Sequence, residues 1–214
     1  MITNLPNLLT LFRIAAIPGI IALFYLDSAM GQYLACGLFG VAAMTDFFDG
    51  YLARAYGQQS SFGRFLDPVA DKLLVAAALL MMAGFGQVSG LVLLPTVVIL
   101  CREILVSGLR EFLAEINVGV PVSALAKWKT VIQMFAIGFL MVGDHGPEYI
   151  PARLIGESGL WIAAGFTLVT GYDYLNAAFR HMKHADTRPK NPSAKNGPAK
   201  NDHDGSGVTA DRSR

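Results

Sequence analysis

The apolar residues run in blocks of roughly 20, each closed by a short cluster of turn residues, and that is the length a helix needs to cross the hydrocarbon core of a bilayer. Inside a bilayer every backbone N–H and C=O must find its partner within the protein, so blocks of this length fold as helices that pack on one another. Six can be read, over about 8–27, 33–55, 67–86, 91–113, 124–143 and 154–179. The breaks carry turn chemistry: Asp27-Ser28 to Gly31, Gly57 to Gly63, Gly86 to Gly90, Asn117 to Pro121, and Gly143 to Pro151. Charged residues make up 15% of the 214 residues, against about 25% in an ordinary soluble domain. The expected fold is an all-α integral membrane protein with six transmembrane helices.

Beyond Arg180 the pattern stops. The stretch from His184, HADTRPKNPSAKNGPAKNDHDGSGVTADRSR, has almost nothing that could form a core. Residues 1–180 are therefore expected to form the membrane domain and 181–214 a disordered tail. The first residues, MITNLPNLLTLFR, lack a basic region and a small-residue cleavage site, so no removable signal peptide is expected. Cys36 and Cys101 sit alone in apolar stretches and read as small buried side chains. A net charge of +1 gives no global field toward nucleic acid, which is not expected as a partner.

In the six-span arrangement Arg13, Arg54, Arg64, Lys72, Arg110, Lys127, Lys129 and the basic residues of the tail fall on one side. The other side receives Arg153, with Asp144 and Glu148. By the positive-inside rule both termini face the cytoplasm, and the expected location is the cell's inner membrane. The 54–72 and 110–129 connections lie on that same side, where the chemistry is expected.

Residues 46–71 read DFFDGYLARAYGQQSSFGRFLDPVAD. Asp46 and Asp49 are three apart and Asp67 and Asp71 four apart, so each pair projects from one helix face. Both pairs lie at the same ends of adjacent spans. A carboxylate in a membrane helix costs about 2.5–3.5 kcal/mol on insertion scales, and four together repel unless something positive sits between them. Two divalent cations would neutralise them, and oxygen-only ligation indicates a hard ion, Mg²⁺ or Mn²⁺. Taken alone, Asp67-Pro68 also reads as an N-cap followed by proline at the first helical position. Asp46 and Asp49 alone also read as interfacial charges or part of an ion pathway. Gly50 and Ala53 leave a shallow helix surface for a ligand, and Gly63, in the turn, lets a phosphate come close. Arg54 offers a planar cationic fork to phosphate or an anchor at the membrane surface.

The pattern Asp46-x2-Asp49-Gly50-x2-Ala53-Arg54-x8-Gly63-x3-Asp67-x3-Asp71 resembles the signature of the CDP-alcohol phosphotransferases, with eight fixed positions over 26 residues. The resemblance implies a six-helix fold, a homodimer, and a binuclear metal site on the cytoplasmic side. It implies that Asp46, Asp49, Asp67 and Asp71 bind the two ions and that Asp71 is the catalytic base. Gly50, Arg54, Gly63 and the hydroxyl of Ser60, where many relatives carry threonine, would contact the CDP part. Asn7-Leu8-Leu9-Thr10 resembles the family's entry segment, with Asn7 and Thr10 bordering the nucleotide. Asn7 also reads as a helix N-cap.

The second half bears on the alcohol. Arg102 and Glu103 lie in the middle of an apolar span, which marks them as functional candidates. Arg110 follows eight residues later, about 80° around a helix from Arg102, so both can border one cavity. Lys127 and Lys129 are two apart and point to nearly opposite sides, so one enters the site and the other anchors at the headgroups. These four cations suit an acceptor that carries its own phosphate. The stretches CREILVSGLREFL, VPVSALAKWKTVIQM and TGYDYL resemble the family members that use sn-glycerol 3-phosphate as acceptor and CDP-diacylglycerol as donor. Alternatives are another acceptor, such as inositol phosphate or phosphatidylglycerol, and, in other classes, a cation transporter or a membrane scaffold. A transporter has no need of the Gly50, Arg54 and Gly63 arrangement, nor a scaffold of paired carboxylates.

Overall fold

The computed structural model describes residues 5–56, 61–115 and 124–186, with the side chains of 5–7 and 46–65 and a few near helix ends outside the description. Among the described residues there are six α-helices and no strand: α1 Leu5–Phe24, α2 Ala29–Tyr56, α3 Ser61–Gly84, α4 Leu93–Glu115, α5 Ala124–Val142 and α6 Ala152–Asp186. Three stretches, Gly90–Ala114, Leu125–His145 and Ala152–Asn176, are long and apolar enough to cross a membrane. Leu8–Phe24 and Ala29–Thr45 are shorter apolar helices. These two ranges stop where the described side chains stop, and in α3 the charges of Asp67, Asp71 and Lys72 lie near the start of the described span.

Two boundaries differ from the expected ones. α3 begins at Ser61, six residues before the expected start at 67, so Gly63 lies in its first turn and not in the connection. Pro68 is inside the helix, and Asp67 is therefore no N-cap. The Asp-Pro pair is a local helix-start signal, but packing sustains most protein helices and here carries α3 through it. The missing proline N–H is tolerated in membrane helices where neighbouring groups adjust. α6 continues through Asp186, six residues past Arg180, and residues 187–214 lie outside the described residues, as does the expected Asn117 to Pro121 turn.

α1 packs on α2 and α3, α6 on α4 and α5, with α2 against α5 joining the two groups. The core is filled by Ile20, Phe24, Phe39, Leu79, Met82, Ile99, Ile137, Leu140 and Leu160, all essentially inaccessible. It occupies the half of the molecule away from the charged helix ends. At that far end Tyr33 Oη donates to the His145 carbonyl at 2.5 Å, and Gln87 Nε2 to that of Met141 at 3.3 Å. Gly86 and Gly90, with φ of 78° and 59°, make the tight α3–α4 turn in a region that side chains rarely adopt.

α5 and α6 approach so closely that Gly156 has no room for a side chain. A Cβ there would lie 3.0 Å from the Ala136 carbonyl oxygen and 3.0 Å from the Leu140 backbone nitrogen. Small residues permit such backbone contact in membranes. Gly156→Ala is expected to destabilise by about 1–3 kcal/mol, the usual cost of overpacking. Gly165→Ala, on the same helix but facing open space, is expected to be neutral or to stabilise by up to about 1 kcal/mol through helix propensity. Thermal unfolding in detergent distinguishes them, and equal midpoints would contradict the close contact.

Candidate active site

Among the described residues, polar and charged groups of α1, α3, α4, α5 and α6 gather at one end of the bundle. On α1, Thr10 is buried and its hydroxyl donates to Oδ1 of Asp67 on α3. One turn further, Arg13 is completely buried. A guanidinium taken wholly out of water is held by charge or hydrogen bonding, so Arg13 belongs to the polar interior and is not the surface charge that its position in the sequence suggests. Asp71 follows Asp67 by one turn and is half-buried.

Asp71 lines a small chamber of about 20 Å³ with Lys72 and Val75 of α3, Glu103 of α4, and Lys129, Thr130, Gln133 and Met134 of α5. Beside it is a larger cleft of about 270 Å³ bordered by Pro68, Lys72, Arg102, Glu103, Val106, Ser107, Arg110, Glu111 and Ala114. Lys72 and Glu103 line both, forming their common wall. Arg102 and Arg110 thus share one cavity, as their helical spacing predicts. Lys72 Nζ donates to the Pro68 carbonyl at 2.9 Å.

The two lysines separate. Lys129 is buried and its ammonium donates to Glu103, whereas Lys127 is exposed beside the exposed Trp128. Lys129 is the one that enters the site, and Lys127 faces outward. Arg102 is held from three sides. Its Nη2 donates to Thr170 Oγ1 at 2.8 Å, its guanidinium carbon lies 5.9 Å from the centre of the Tyr174 ring, and its Nη1 is 3.8 Å from Glu103 Oε1. Gly171 admits it, since a Cβ there would sit 3.3 Å from Arg102 Cγ. The Thr170 hydroxyl itself donates to the Phe166 carbonyl one turn back at 2.8 Å, leaving its lone pairs to the guanidinium.

Asp46, Asp49, Gly50 and Arg54 fall in the C-terminal turns of α2, Asn7 in the first turn of α1 and Gly63 in that of α3. The side chains of these residues lie outside the described residues, and Ser60 does so entirely. Among the described residues no cluster of three or more acidic, histidine or cysteine side chains occurs. Asp67, with the Thr10 hydroxyl on its Oδ1, and Asp71 one turn further offer oxygen donors alone, the kind that suits a hard divalent cation. α2 and α3 are consecutive helices in contact.

Several participants carry little sequence signal. Glu103 shows as a charge inside an apolar span, but its role as the partner of Lys129 appears only when α4 meets α5. Thr170 and Tyr174 are common residues in membrane helices, and only packing sets them beside Arg102. For Arg13 the one clue is its spacing of three from Thr10.

A bundle of helices with acidic and basic groups gathered at one end defines a polytopic membrane protein with a polar site open to one surface. The chain belongs to the CDP-alcohol phosphatidyltransferase family, whose model matches residues 3–169. It is 52% identical over 179 residues to a CDP-diacylglycerol–glycerol-3-phosphate 3-phosphatidyltransferase of Rickettsia bellii, covering 84% of this chain and 97% of that protein. A protein of the same description from Pectobacterium atrosepticum is 46% identical over 180 residues, covering 83% and 96%. The fold is similar to that of a Mycobacterium tuberculosis phosphatidylinositol phosphate synthase crystallised in apo form, with a TM-score of 0.62 at 20% identity, over 83% of this chain and 90% of that one.

Proposed function

We propose that the protein transfers the phosphatidyl group of CDP-diacylglycerol to sn-glycerol 3-phosphate, giving phosphatidylglycerophosphate and CMP. The single observation that carries the reading is the cleft bearing Arg102 and Arg110, which shares a wall with the chamber of Asp71. In this reading the acceptor phosphate sits in the cleft and the hydroxyl end of the acceptor is directed toward the chamber of Asp71. The description of the relatives at 46–52% identity supports the same substrates.

In this reading Asp46, Asp49, Asp67 and Asp71 hold two Mg²⁺ or Mn²⁺ ions, and Thr10 fixes one oxygen of Asp67. When bound, the ions supply charge stabilisation to the diphosphate and the departing CMP. Asn7, Gly50, Arg54, Ser60 and Gly63 border the CDP moiety. Arg110 and Arg102 grip the acceptor phosphate from the cleft and Lys129 reaches toward it from the adjoining chamber, Arg102 being pre-oriented by Thr170 and Tyr174, while Lys127 anchors at the headgroups. The acceptor hydroxyl oxygen forms a bond to the phosphorus that carries the diacylglycerol. The bond from that phosphorus to the bridging oxygen breaks, and CMP leaves with the electron pair. Asp71 orients the hydroxyl and receives its proton as the new bond forms. Such transfer rests mainly on positioning and charge stabilisation. All six helices span the inner membrane as a homodimer, with the site and both ends of the chain on the cytoplasmic side.

An acceptor panel tests this. Purified protein with CDP-diacylglycerol and Mg²⁺ is expected to release CMP with glycerol 3-phosphate and to form phosphatidylglycerophosphate. Equal turnover with inositol phosphate, phosphatidylglycerol or free glycerol would overturn the assignment, and metal-independent silence with every acceptor would favour a transporter or scaffold. Arg110→Ala is expected to raise the acceptor KM about ten- to hundredfold, the range of a hydrogen bond to a charged group, with the donor KM nearly unchanged.

A further inference from the structure

Glu103 stands where the two cavities meet, lining both the chamber of Asp71 and the cleft of Arg102 and Arg110. Its carboxylate accepts from Lys129 Nζ and lies 3.8 Å from Arg102 Nη1. The side chains of Glu103, Lys129 and Arg102 are only 18%, 3% and 12% exposed. Taking one partner from a buried pair leaves the other as an uncompensated buried charge. The two cations depend on Glu103 unequally. Arg102 also has Thr170 and Tyr174, whereas among the described residues Glu103 is the one carboxylate paired with Lys129. A lysine stem is flexible and loses much rotamer freedom when held, so its ammonium stays in one place only if something fixes it there.

We propose that Glu103 is a positioning residue for the transfer reaction: it fixes the Lys129 ammonium in the chamber beside Asp71, so that Lys129 meets the acceptor phosphate already oriented. The proposal rests on the reading of this region as the acceptor-phosphate site. Glu103 acts through Lys129 and makes no contact with the acceptor of its own.

A double-mutant cycle in the purified full chain tests it, with glycerol 3-phosphate varied at saturating CDP-diacylglycerol. Glu103→Gln and Lys129→Met are each expected to raise the acceptor KM about tenfold, equivalent to about 1.4 kcal/mol, with the donor KM unchanged. The double variant is expected to be no worse than Lys129→Met alone. A double variant in which the two effects multiply shows that Glu103 acts independently of Lys129 and overturns the proposal. If Lys129→Met raises the acceptor KM and Glu103→Gln does not, the proposal falls and the reading of the phosphate site stands. If Lys129→Met changes nothing, the proposal falls, and Arg110→Ala decides the reading of the phosphate site separately. Should Glu103→Gln fail to accumulate in the membrane, Glu103→Asp keeps the charge on a shorter stem. It is expected to give a smaller rise that disappears in the Lys129→Met background, and a rise that persists there overturns the proposal.

Discussion

Asp71→Asn is expected to reduce CMP release by about 10²–10⁴-fold, the usual span for loss of an acid–base group, while CDP-diacylglycerol still binds. The substitution keeps the size of the side chain in a chamber of only about 20 Å³ that Val75, Gln133 and Met134 also line. Charge and proton acceptance are lost. In the proposed reading Asp67, with Thr10 on its Oδ1, and the Asp46–Asp49 pair remain to recruit cations and the diphosphate. Asp49→Asn is expected to behave differently, weakening metal and CDP-lipid binding together. CDP-lipid binding at saturating Mg²⁺, measured beside turnover for both variants, decides the point. Near wild-type turnover in Asp71→Asn, or a loss of donor binding as complete as in Asp49→Asn, would sink the separate role of Asp71.

Removal of divalent cations is expected to abolish CMP release, and added Mg²⁺ or Mn²⁺ to restore it. In the proposed reading four carboxylates share one site, where they would repel one another, and oxygen donors alone favour a hard ion. A second readout needs no catalysis. A ligand that binds only the folded state stabilises it by mass action, about 2.7 kcal/mol at roughly 100 times its Kd. The thermal midpoint of the purified protein should therefore rise with Mg²⁺, and should rise less in Asp49→Asn. Turnover that persists in excess chelator, with an unchanged midpoint, would remove the metal from the reading.

Features that depend on period and length are legible in the amino-acid sequence. Blocks of about 20 apolar residues specify bilayer-length helices because the chain has no other way to satisfy its backbone there. All six appear as helices. The aspartate pairs at spacings of three and four, and the arginines at spacing eight, follow from the 3.6-residue turn, and Arg102 and Arg110 do border one cleft. Helix starts are less legible, because local signals compete with packing. Asp67-Pro68 reads as a beginning, yet α3 starts at Ser61, and the same packing that carries the helix through Pro68 sets Asp67 against Thr10.

Contacts between helices belong to another category. Lys127 and Lys129 are equivalent by sequence. Only the placement of α5 against α3 and α4 buries Lys129 on Glu103 and leaves Lys127 outside. Arg13 looks like a positive-inside charge until α1 packs on α2 and α3 and closes over it. Thr170 and Tyr174 acquire a role only because α6 runs beside α4. By itself the sequence determined the helices, their order and the faces that carry charge, since each depends on residues within a few turns of one another. The tertiary structure alone decided which charges pair, which are buried and which wall two cavities share, because a buried charge is defined by its partner, and here those partners lie 26 and 68 residues away along the chain.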